Sequence, residues 1–371
     1  MKRTAFYNYH TDHGAKFVDF AGWEMPIHYG SIIDEHSQCR NSGSVFDVSH
    51  MGRLRVSGRH ARKFLETLLT RKVSDMVEGQ ARYSLICNET GGVIDDILVY
   101  RFPDDWLMVV NASNREKVLA HMDAVVKQFD YTVKIEDTTE ATAMIAVQGP
   151  KVMEKIGSFS KTVPTMKNYH FTEKNLMILK MIISRTGYTG EDGVEVILGA
   201  KMAPMAIKLL LKDKGEGTVK PAGLGARDTL RIEAGMPLYG HELDEETDPL
   251  SAGLKFAVSL NKDKAEDGPT IPRFIGQDAL EKIASEGPSK QLVGLKIEGK
   301  RTPRQGCEVH GSDGPIGTVT SGCTSPTLGL PIAMAYVTPG STGEGDSVTI
   351  KVGSGECTAT VCKLPFYKRP K

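Results

Sequence analysis

Two adjacent carboxylates, Asp95 and Asp96, stand in an otherwise apolar stretch whose pattern predicts a β-strand over 93–100. Because successive side chains of a strand point to opposite faces, these carboxylates cannot share a proton as a dyad. A buried, unpaired carboxylate costs on the order of several kcal/mol, so each must be paired, hydrogen-bonded or directed at a ligand. The spacing leaves two interpretations open: a catalytic or binding carboxylate, or two groups that bond the nearby turn and backbone.

A second polar segment, 184–195, carries glycines at 187, 190 and 193 together with Tyr188 and Glu195. It is typical of a tight binding turn or of a plain hairpin loop. It is not the dinucleotide-binding fingerprint, which requires Gly-x-Gly-x-x-Gly between a strand and a helix. Further along, Gly223 and Gly225 open a predicted helix whose N-terminus suits an anion, and Arg227 could meet a carboxylate there. The alternative for Arg227 is a surface pair with Asp228.

Other combinations of reactive residues are weaker evidence for a functional site. Asp47, Ser49 and His50 suggest a hydrolase, but no Gly-x-Ser-x-Gly elbow surrounds Ser49, and sequence neighbours rarely share one side. Cys357 and Cys362 have no second pair nearby, and no His-Glu-x-x-His run occurs. We therefore expect neither a hydrolase nor a metal site.

The elements that must position these residues form an α+β pattern up to about residue 285. After an irregular opening to Asp47, we predict a helix over 59–70, a hairpin of strands 83–87 and 93–102, and a helix that begins at a capping box of Ser113 and Glu116. A strand over 131–135 follows.

A second α+β stretch is predicted over 142–234, with a hairpin of strands 176–184 and 193–198 and a closing helix over 224–233. After a last helix over 279–285, short apolar runs broken by frequent glycines indicate a β-barrel or sandwich, with a boundary near 287–289.

Length and charge limit the class of protein. The 371 residues exceed one ordinary domain, so we expect two or three. The 46 Lys and Arg residues balance 46 Asp and Glu residues, which argues against a nucleic-acid partner, because counterion release needs a basic face. No apolar stretch approaches the roughly 20 residues of a membrane span, and no targeting signal is recognisable. We therefore expect a cytoplasmic protein without a membrane partner, whose six scattered cysteines are free thiols.

Taken in order, these segments resemble the folate-dependent T-protein family of the glycine cleavage system. The motifs that carry the resemblance are FAGWEMP at 20–26, FDVSHMG at 46–52, GGVIDD at 91–96, QGP at 148–150, GYTGE at 187–191, GLGARDTLR at 223–231, EAG at 233–235, TSG at 320–322, SPTLG at 325–329 and PFY at 365–367. Each motif alone is modest, but together they are specific and span nearly the whole chain.

The resemblance implies a fold and its boundaries. It implies two interleaved α+β domains and a C-terminal β-barrel around a central channel. The first domain would comprise residues 1–50 and 140–240 and bind folate. The second would comprise 51–139 and 241–284 and carry the Asp95-Asp96 hairpin. The barrel would comprise 285–371.

The resemblance also implies a reaction. The family moves the methylene of an aminomethyl group, carried on the dihydrolipoyl arm of the H-protein, to the co-substrate tetrahydrofolate and releases ammonia, without a metal. Its catalytic aspartate falls on Asp96, which makes Asp95 a structural partner. The folate-binding residues it implies are Met51, Tyr83, Tyr100, Asn111, Tyr188, Glu195 and Arg227.

Two alternatives share this architecture. One is a folate-dependent demethylase, such as dimethylsulfoniopropionate demethylase, which moves a methyl group to tetrahydrofolate. The other is a non-catalytic folate-binding scaffold, like the iron–sulfur assembly relatives of the fold. The Asp95-Asp96 and Tyr188 segments favour the T-protein over the demethylase, and the Lys-Gly-Cys-x-x-Gly-Gln type signature of the scaffolds does not occur in the sequence.

Overall fold

The computed structural model of the protein describes residues 1–158, 160–176, 179–211, 219–264 and 270–370. The sequence carries a polar segment at 261–270, of which 265–269 lie outside the described residues. The chain divides into two compact units. The first unit comprises Met1–Phe64, Asp75–Tyr83 and Ile97–Asp228, and the second comprises Leu65–Ser74, Ser84–Asp96 and Thr229–Lys371. The domain boundaries implied by the resemblance stay a prediction.

The helices are short, and several follow the predicted apolar spacing. The α-helices are α1 (Tyr7–Asp12), α2 (Ile32–Asn41), α3 (Ala61–Leu68), α4 (Arg115–Gln128), α5 (Val152–Gly157), α6 (Ala203–Leu210), α7 (Leu224–Glu233) and α8 (Gln277–Glu286). Single turns of 3₁₀ helix cover Ala112–Asn114, Val163–Thr165, Ala200–Met202, Lys255–Ala257 and Lys262–Lys264. No helix among the described residues is long and apolar enough to cross a membrane.

The strands build three larger sheets and one N-terminal hairpin. They are β1 (Lys16–Phe20), β2 (Trp23–His28), β3 (Ser44–Asp47), β4 (Gly52–Ser57), β5 (Ala81–Cys87), β6 (Val93–Arg101), β7 (Trp106–Val110), β8 (Lys134–Asp137), β9 (Thr142–Gln148), β10 (Phe171–Leu176), β11 (Leu179–Ser184), β12 (Gly193–Gly199), β13 (Lys220–Pro221), β14 (Gln291–Ile297), β15 (Glu308–Gly311), β16 (Gly314–Ser325), β17 (Leu330–Val337), β18 (Ser347–Val352) and β19 (Gly355–Cys362).

A six-stranded sheet in the first unit runs in the order β10-β11-β12-β9-β3-β13. Strand β9 lies inside this sheet and is almost wholly buried, as its apolar run requires. Alternate residues of the strands reach one core, which α5 and α6 cover. This core includes Val45, Ala143, Ile145, Val147, Val152, Val194, Ala203 and Ile207. Because Val194 points into this core, period-two alternation places the next residue of β12, Glu195, on the other face of the sheet.

A five-stranded sheet runs in the order β5-β6-β7-β4-β8. The predicted hairpin joins β5 to β6, and Asn88 closes its turn: the Asn88 N–H donates to the Gly92 carbonyl at 2.9 Å, and Asn88 Oδ1 accepts from the Gly92 N–H at 2.9 Å. On β6, Asp95 is fully buried and Asp96 is partly exposed, as expected for residues on opposite faces.

The C-terminal part of the second unit is a closed six-stranded barrel with the strand order β14-β17-β16-β15-β18-β19. Its interior is filled by aliphatic side chains, which include Leu295, Val309, Val319, Ala333, Ala335, Ile350 and Ala359. The sequence left a barrel and a sandwich open, and the closure of the sheet decides for the barrel. With the two α+β sheets, this confirms the predicted fold class.

Three local predictions were wrong. The opening to Asp47 is regular: it holds the β1-β2 hairpin and the ten-residue helix α2, whose N-cap Ser31 accepts a hydrogen bond from Asp34. Ser113 caps no helix, because it lies within a 3₁₀ turn and α4 begins after Asn114. Strand β10 was missed, since four of its six residues are polar and β-propensity depends on the pairing that a sheet supplies.

Candidate functional site

A buried carboxylate, Glu195, lies on the sheet face of the first unit that is turned away from the apolar core. Strands β11 and β12 pair it with Ser184, and the residue is only 5% exposed. The Thr186 hydroxyl donates to Glu195 Oε2 at 2.6 Å, and Thr186 Oγ1 lies 2.7 Å from Ser184 Oγ. In the described part of the chain, Glu195 Oε1 receives no hydrogen bond. The carboxylate therefore keeps acceptor capacity that a ligand could use.

Tyr100 on β6 belongs to the same cluster. Its hydroxyl oxygen lies 3.3 Å from Ser184 Oγ, and its ring packs edge-on against Phe171 with centroids 5.4 Å apart. Burial, followed by the nearby charge of Glu195, raises the pKa of Tyr100 well above its ordinary value. Tyr100 therefore stays a neutral phenol and offers an aromatic edge rather than an acid or base.

Arg227 on the first turns of α7 is the cation of the cluster. Its guanidinium carbon lies 5.0 Å from the centre of the Tyr188 ring, a cation–π contact. Its Nη1 is buried and has no hydrogen-bond partner among the described residues. Burial lowers the pKa of Arg227, and the charge of Glu195 opposes this effect. Guanidinium groups stay charged in proteins, so Arg227 is treated as a cation. Arg227 packs against Tyr188 and is influenced by the charge of Glu195, and it forms no ion pair with Asp228 among the described residues, so the predicted alternative of a surface pair is wrong.

The loop that carries Tyr188 joins β11 to β12 and is held in place. Arg40 from α2 donates to Glu191 Oε1 at 2.8 Å, and both side chains are almost fully buried. Gly187 is needed here because a Cβ would overlap the side-chain amide of Gln148. The sequence left a plain hairpin loop open, but these contacts fix the loop against the sheet and so fix the Tyr188 ring.

A buried arginine, Arg53 on β4, organises the residues before it. Its Nη1 donates to the carbonyl oxygen of Ser49 at 3.0 Å and also to that of Met51, and its Nε donates to Thr142 Oγ1 at 2.7 Å. Burial lowers the pKa of Arg53 to about 10, which still leaves it charged at neutral pH. The side chain thereby holds the backbone on both sides of His50.

The suspected hydrolase residues do not form a triad. Asp47 Oδ2 accepts from the Thr4 hydroxyl at 2.6 Å and lies 2.8 Å from His10 Nε2, so its histidine partner is His10 and not His50. The Ser49 hydroxyl bonds the Met144 backbone at 3.1 Å and 3.0 Å. Asp47, Ser49 and His50 therefore do not form a Ser-His-Asp triad.

The structure brings Tyr100, Tyr188, Glu195 and Arg227 into one cluster. The other predicted folate residues of the first unit, Met51, Tyr83 and Asn111, are each half-buried. Asn111 precedes a 3₁₀ turn, and its carbonyl accepts the Asn114 N–H at 3.1 Å. Asp96 belongs to the second unit, where it is half-buried and follows the fully buried Asp95.

Sequence reasoning missed several groups that shape this cluster. Thr186 and Ser184 supply the hydroxyls around Glu195, and Arg53 and His50 adjoin Met51. The alternation of β11 and β12 could have indicated Ser184 as the neighbour of Glu195, but nothing in the sequence marks Arg53 as buried. Within the described residues, no group of three His, Cys, Asp or Glu side chains could hold a metal ion.

Comparison with known families gives matches along nearly the whole chain. A domain described as "GCVT N-terminal domain" matches residues 6–262. A domain described as "Glycine cleavage T-protein C-terminal barrel domain" matches residues 290–368, which include all six barrel strands.

Individual relatives extend over the full length. An aminomethyltransferase of Rubrobacter xylanophilus is 45% identical and the alignment covers 100% of this chain and 95% of the relative. An aminomethyltransferase of Thermotoga maritima is 43% identical over 99% of this chain and 98% of its own. The crystal structure of the glycine cleavage system aminomethyltransferase T from Bartonella henselae matches with a TM-score of 0.88 at 32% identity, covering 99% of this chain and 98% of its own. The chain belongs to the glycine cleavage T-protein family.

Proposed function

We propose that the chain is a tetrahydrofolate-dependent aminomethyltransferase of the glycine cleavage system. In this reaction, a methylene group leaves the aminomethylated dihydrolipoyl arm of the H-protein, joins tetrahydrofolate as 5,10-methylenetetrahydrofolate, and ammonia is released. The observation that carries the proposal is the cluster of Glu195, Arg227 and Tyr188, which holds unused hydrogen-bonding capacity beside an aromatic face. The full-length kinship with named aminomethyltransferases supports the same reaction.

The cluster suits a reduced folate by chemistry. A pterin presents adjacent N–H donors along its amide and amidine edge, and a carboxylate with a free oxygen, such as Glu195, can accept two of them. Tyr188 and Tyr100 supply aromatic surface for the rings, and we assign the same role to Tyr83. The buried Nη1 of Arg227 suits a carbonyl or carboxylate oxygen of the ligand. Met51 and Asn111 complete the proposed folate-binding set.

For Asp96 we propose electrostatic and orienting catalysis. As N5 of tetrahydrofolate attacks the carried methylene, positive charge develops at the nitrogen, and a fixed carboxylate stabilises that charge more than the neutral ground state. At ~4 Å and an effective dielectric constant near 20, the attraction is about 4 kcal/mol before desolvation is subtracted. This corresponds to roughly a thousandfold in rate. We also propose that Asp96 accepts the proton that leaves N5.

The H-protein as partner and the cytoplasm as location complete the proposed function. The test combines the purified chain with glycine, tetrahydrofolate and the other cleavage components, and measures methylenetetrahydrofolate and ammonia. Equal amounts of the two products, absent when the chain is left out, are expected. A parallel assay offers a thioether or sulfonium methyl donor. Methyl transfer there without aminomethyl transfer would identify a demethylase, and folate binding without either reaction would identify a scaffold.

A further inference from the structure

The imidazole of His50, in the first unit, is buried, and one of its nitrogens has no hydrogen-bond partner among the described residues. The residue is 4% exposed, and its Nδ1 is closed off from solvent with no hydrogen-bond partner among the described residues. The half-exposed ring of Phe20 packs edge-on against it with centroids 5.3 Å apart. Buried polar atoms are nearly always hydrogen-bonded, and an unsatisfied one costs about 1–3 kcal/mol. An unpartnered Nδ1 at this position therefore calls for a partner from outside the chain.

The position of His50 is fixed by its neighbours. Arg53 donates to the carbonyl oxygens of Ser49 and Met51, the residues immediately before and after His50. The backbone N–H of Ser49 donates in turn to Asp47 Oδ1 at 2.8 Å. Anchored on both sides, the segment cannot easily turn to bring Nδ1 to a partner within the protein.

A second unpartnered atom belongs to the same neighbourhood. Arg227 Nη1 is also buried without a hydrogen-bond partner, and the Arg227 charge acts directly on His50. Burial first, and then the cations Arg227 and Arg53 against the opposing charge of Asp47, lower the pKa of His50 to about 4. His50 is therefore neutral at physiological pH, and it can donate one hydrogen bond without adding a third positive charge.

The surrounding charges select the partner. Of the charges that act on His50, Asp47 already accepts from the Thr4 hydroxyl and bonds His10, whereas the cation Arg227 has a buried Nη1 without an acceptor among the described residues. An oxygen acceptor is therefore favoured over a cationic ligand group. We propose that His50 contacts the reduced folate directly: its Nδ1–H and the Nη1–H of Arg227 hold one oxygen of the ligand between them. The inference deepens the proposed function and rests on it. It assigns a ligand contact to a residue for which the sequence suggested only a hydrolase role.

The experiment measures tetrahydrofolate binding to the full chain under anaerobic conditions, together with KM and kcat in the cleavage assay. His50→Leu removes the donor, and we expect Kd and KM for tetrahydrofolate to rise about tenfold while kcat changes little, because the contact is present before and during the reaction. His50→Asn carries an amide at the place of Nδ1, and His50→Gln carries it at the place of Nε2. We expect Asn to keep affinity within about threefold of the original and Gln to behave like Leu.

A shortened ligand identifies the oxygen. If His50 and Arg227 hold the ring carbonyl, the tenfold loss in His50→Leu persists with 6-methyltetrahydropterin, which lacks the benzoyl-glutamate part. If they hold an oxygen of that part, the loss occurs only with the complete tetrahydrofolate. Either result supports the contact.

Other results would overturn it. A folded His50→Leu protein with unchanged Kd for both ligands, or equal affinities of the Asn and Gln variants, removes the contact while leaving the proposed function intact. The Asn and Gln comparison remains decisive if the Leu variant does not fold. A protein with its original His50 that binds no tetrahydrofolate contradicts both the contact and the proposed function.

Discussion

Two arginines four residues apart on α7 show how differently a buried cation can be used. Arg231 is 1% exposed and has a full set of protein partners: its Nη1 donates to Glu242 Oε2 at 2.7 Å and to the Met236 carbonyl at 3.2 Å, and its Nη2 donates to Ser321 Oγ at 2.7 Å. The side chain of Arg227 makes no hydrogen bond to a described residue, and its Nη1 is nonetheless shut off from solvent.

The carboxylates near them differ in the same way. Glu242 accepts from the Thr320 hydroxyl and the Leu238 N–H in addition to Arg231, so its hydrogen-bonding capacity is largely used within the second unit. Glu195 accepts one bond, from Thr186, among the described residues. Removing one member of a satisfied buried ion pair is costly, because its partner is left as an unpaired buried charge. Buried polar groups are nearly always hydrogen-bonded, so buried groups with unused capacity are suited to a ligand. Hydrogen bonding within the protein, rather than burial or charge, therefore distinguishes Arg231 from Arg227, for which we propose a ligand contact.

The largest effect is expected when Arg231, the cation whose hydrogen bonds are all made within the protein, is replaced. Arg231→Met should lower the free energy of unfolding by about 3–5 kcal/mol, because it leaves the buried charge of Glu242 without its cation. Urea denaturation followed by circular dichroism measures the change. The double variant Arg231→Met/Glu242→Leu should recover much of the loss. If the single variant loses less than about 1 kcal/mol, the network is not the structural element we describe.

Asp96 contrasts with Arg231, because its replacement should lower the turnover rate rather than the stability of the fold. Asp96→Asn keeps the shape and removes the charge, so kcat should fall roughly a thousandfold while Kd for tetrahydrofolate stays within a few-fold. Asp95→Asn is the matched control. Its side chain is fully buried, so it should lower the melting temperature more than Asp96→Asn does. Near-normal turnover in Asp96→Asn with intact folate binding would defeat the proposed catalytic role.

Arg227→Met is the direct counterpart of Arg231→Met. We expect tetrahydrofolate affinity to fall about tenfold to a hundredfold, since a charge-assisted hydrogen bond to a ligand oxygen is lost. The free energy of unfolding should change far less than in Arg231→Met, because no hydrogen bond to a described residue is broken. Arg227→Lys keeps the charge without the planar fork and should fall between the two. Equal destabilisation by Arg227→Met and Arg231→Met would refute the distinction.

The larger elements could be predicted from the sequence because their patterns are local. The helix over 224–233 is observed as α7, and the Asn88 turn joins the predicted strands, since apolar spacing and turn residues act within a few positions. Strand β10 and the N-terminal hairpin could not be predicted, because short segments rich in polar residues become strands only through the pairing that a sheet supplies. The central channel implied by the resemblance stays a prediction.

Some features of the site could be predicted from the sequence in the same way, and others could not. Spacing alone placed Asp95 and Asp96 on opposite faces, and the resemblance supplied the names of the folate residues. Neither could show which buried groups would lack partners, because satisfaction depends on side chains far apart in sequence: Arg227 and Glu195 are brought together only by the fold. Whether Nδ1 of His50 has a partner likewise depends on the fold, because the carboxylate of Asp47 bonds His10 and not His50.

The smallest expected effect is a loss of stability on acidification, caused by the neutral imidazole of His50. Its pKa is about 4 in the folded protein, against about 6.5 in an unfolded chain, so the unfolded state binds more protons below pH 6.5. The contribution of His50 to stability is thus fully present above pH 6.5, decreases as the pH falls, and levels off below about 4. Between pH 7 and 5.5 the loss should be about 1 kcal/mol.

Burial is the main cause of this lowered pKa; the carboxylate Asp47 opposes it, and the cations Arg227 and Arg53 add to it. Urea denaturation of the original protein and of His50→Asn at both pH values isolates the contribution of His50, because the other titrating groups are common to both. The original protein should lose about 1 kcal/mol more than the variant. Saturating tetrahydrofolate should preserve this difference if His50 donates while neutral. Identical acid sensitivity of the two proteins would mean that His50 is not held neutral, and the contrast with the fully paired Arg231 network would then rest on Arg227 alone.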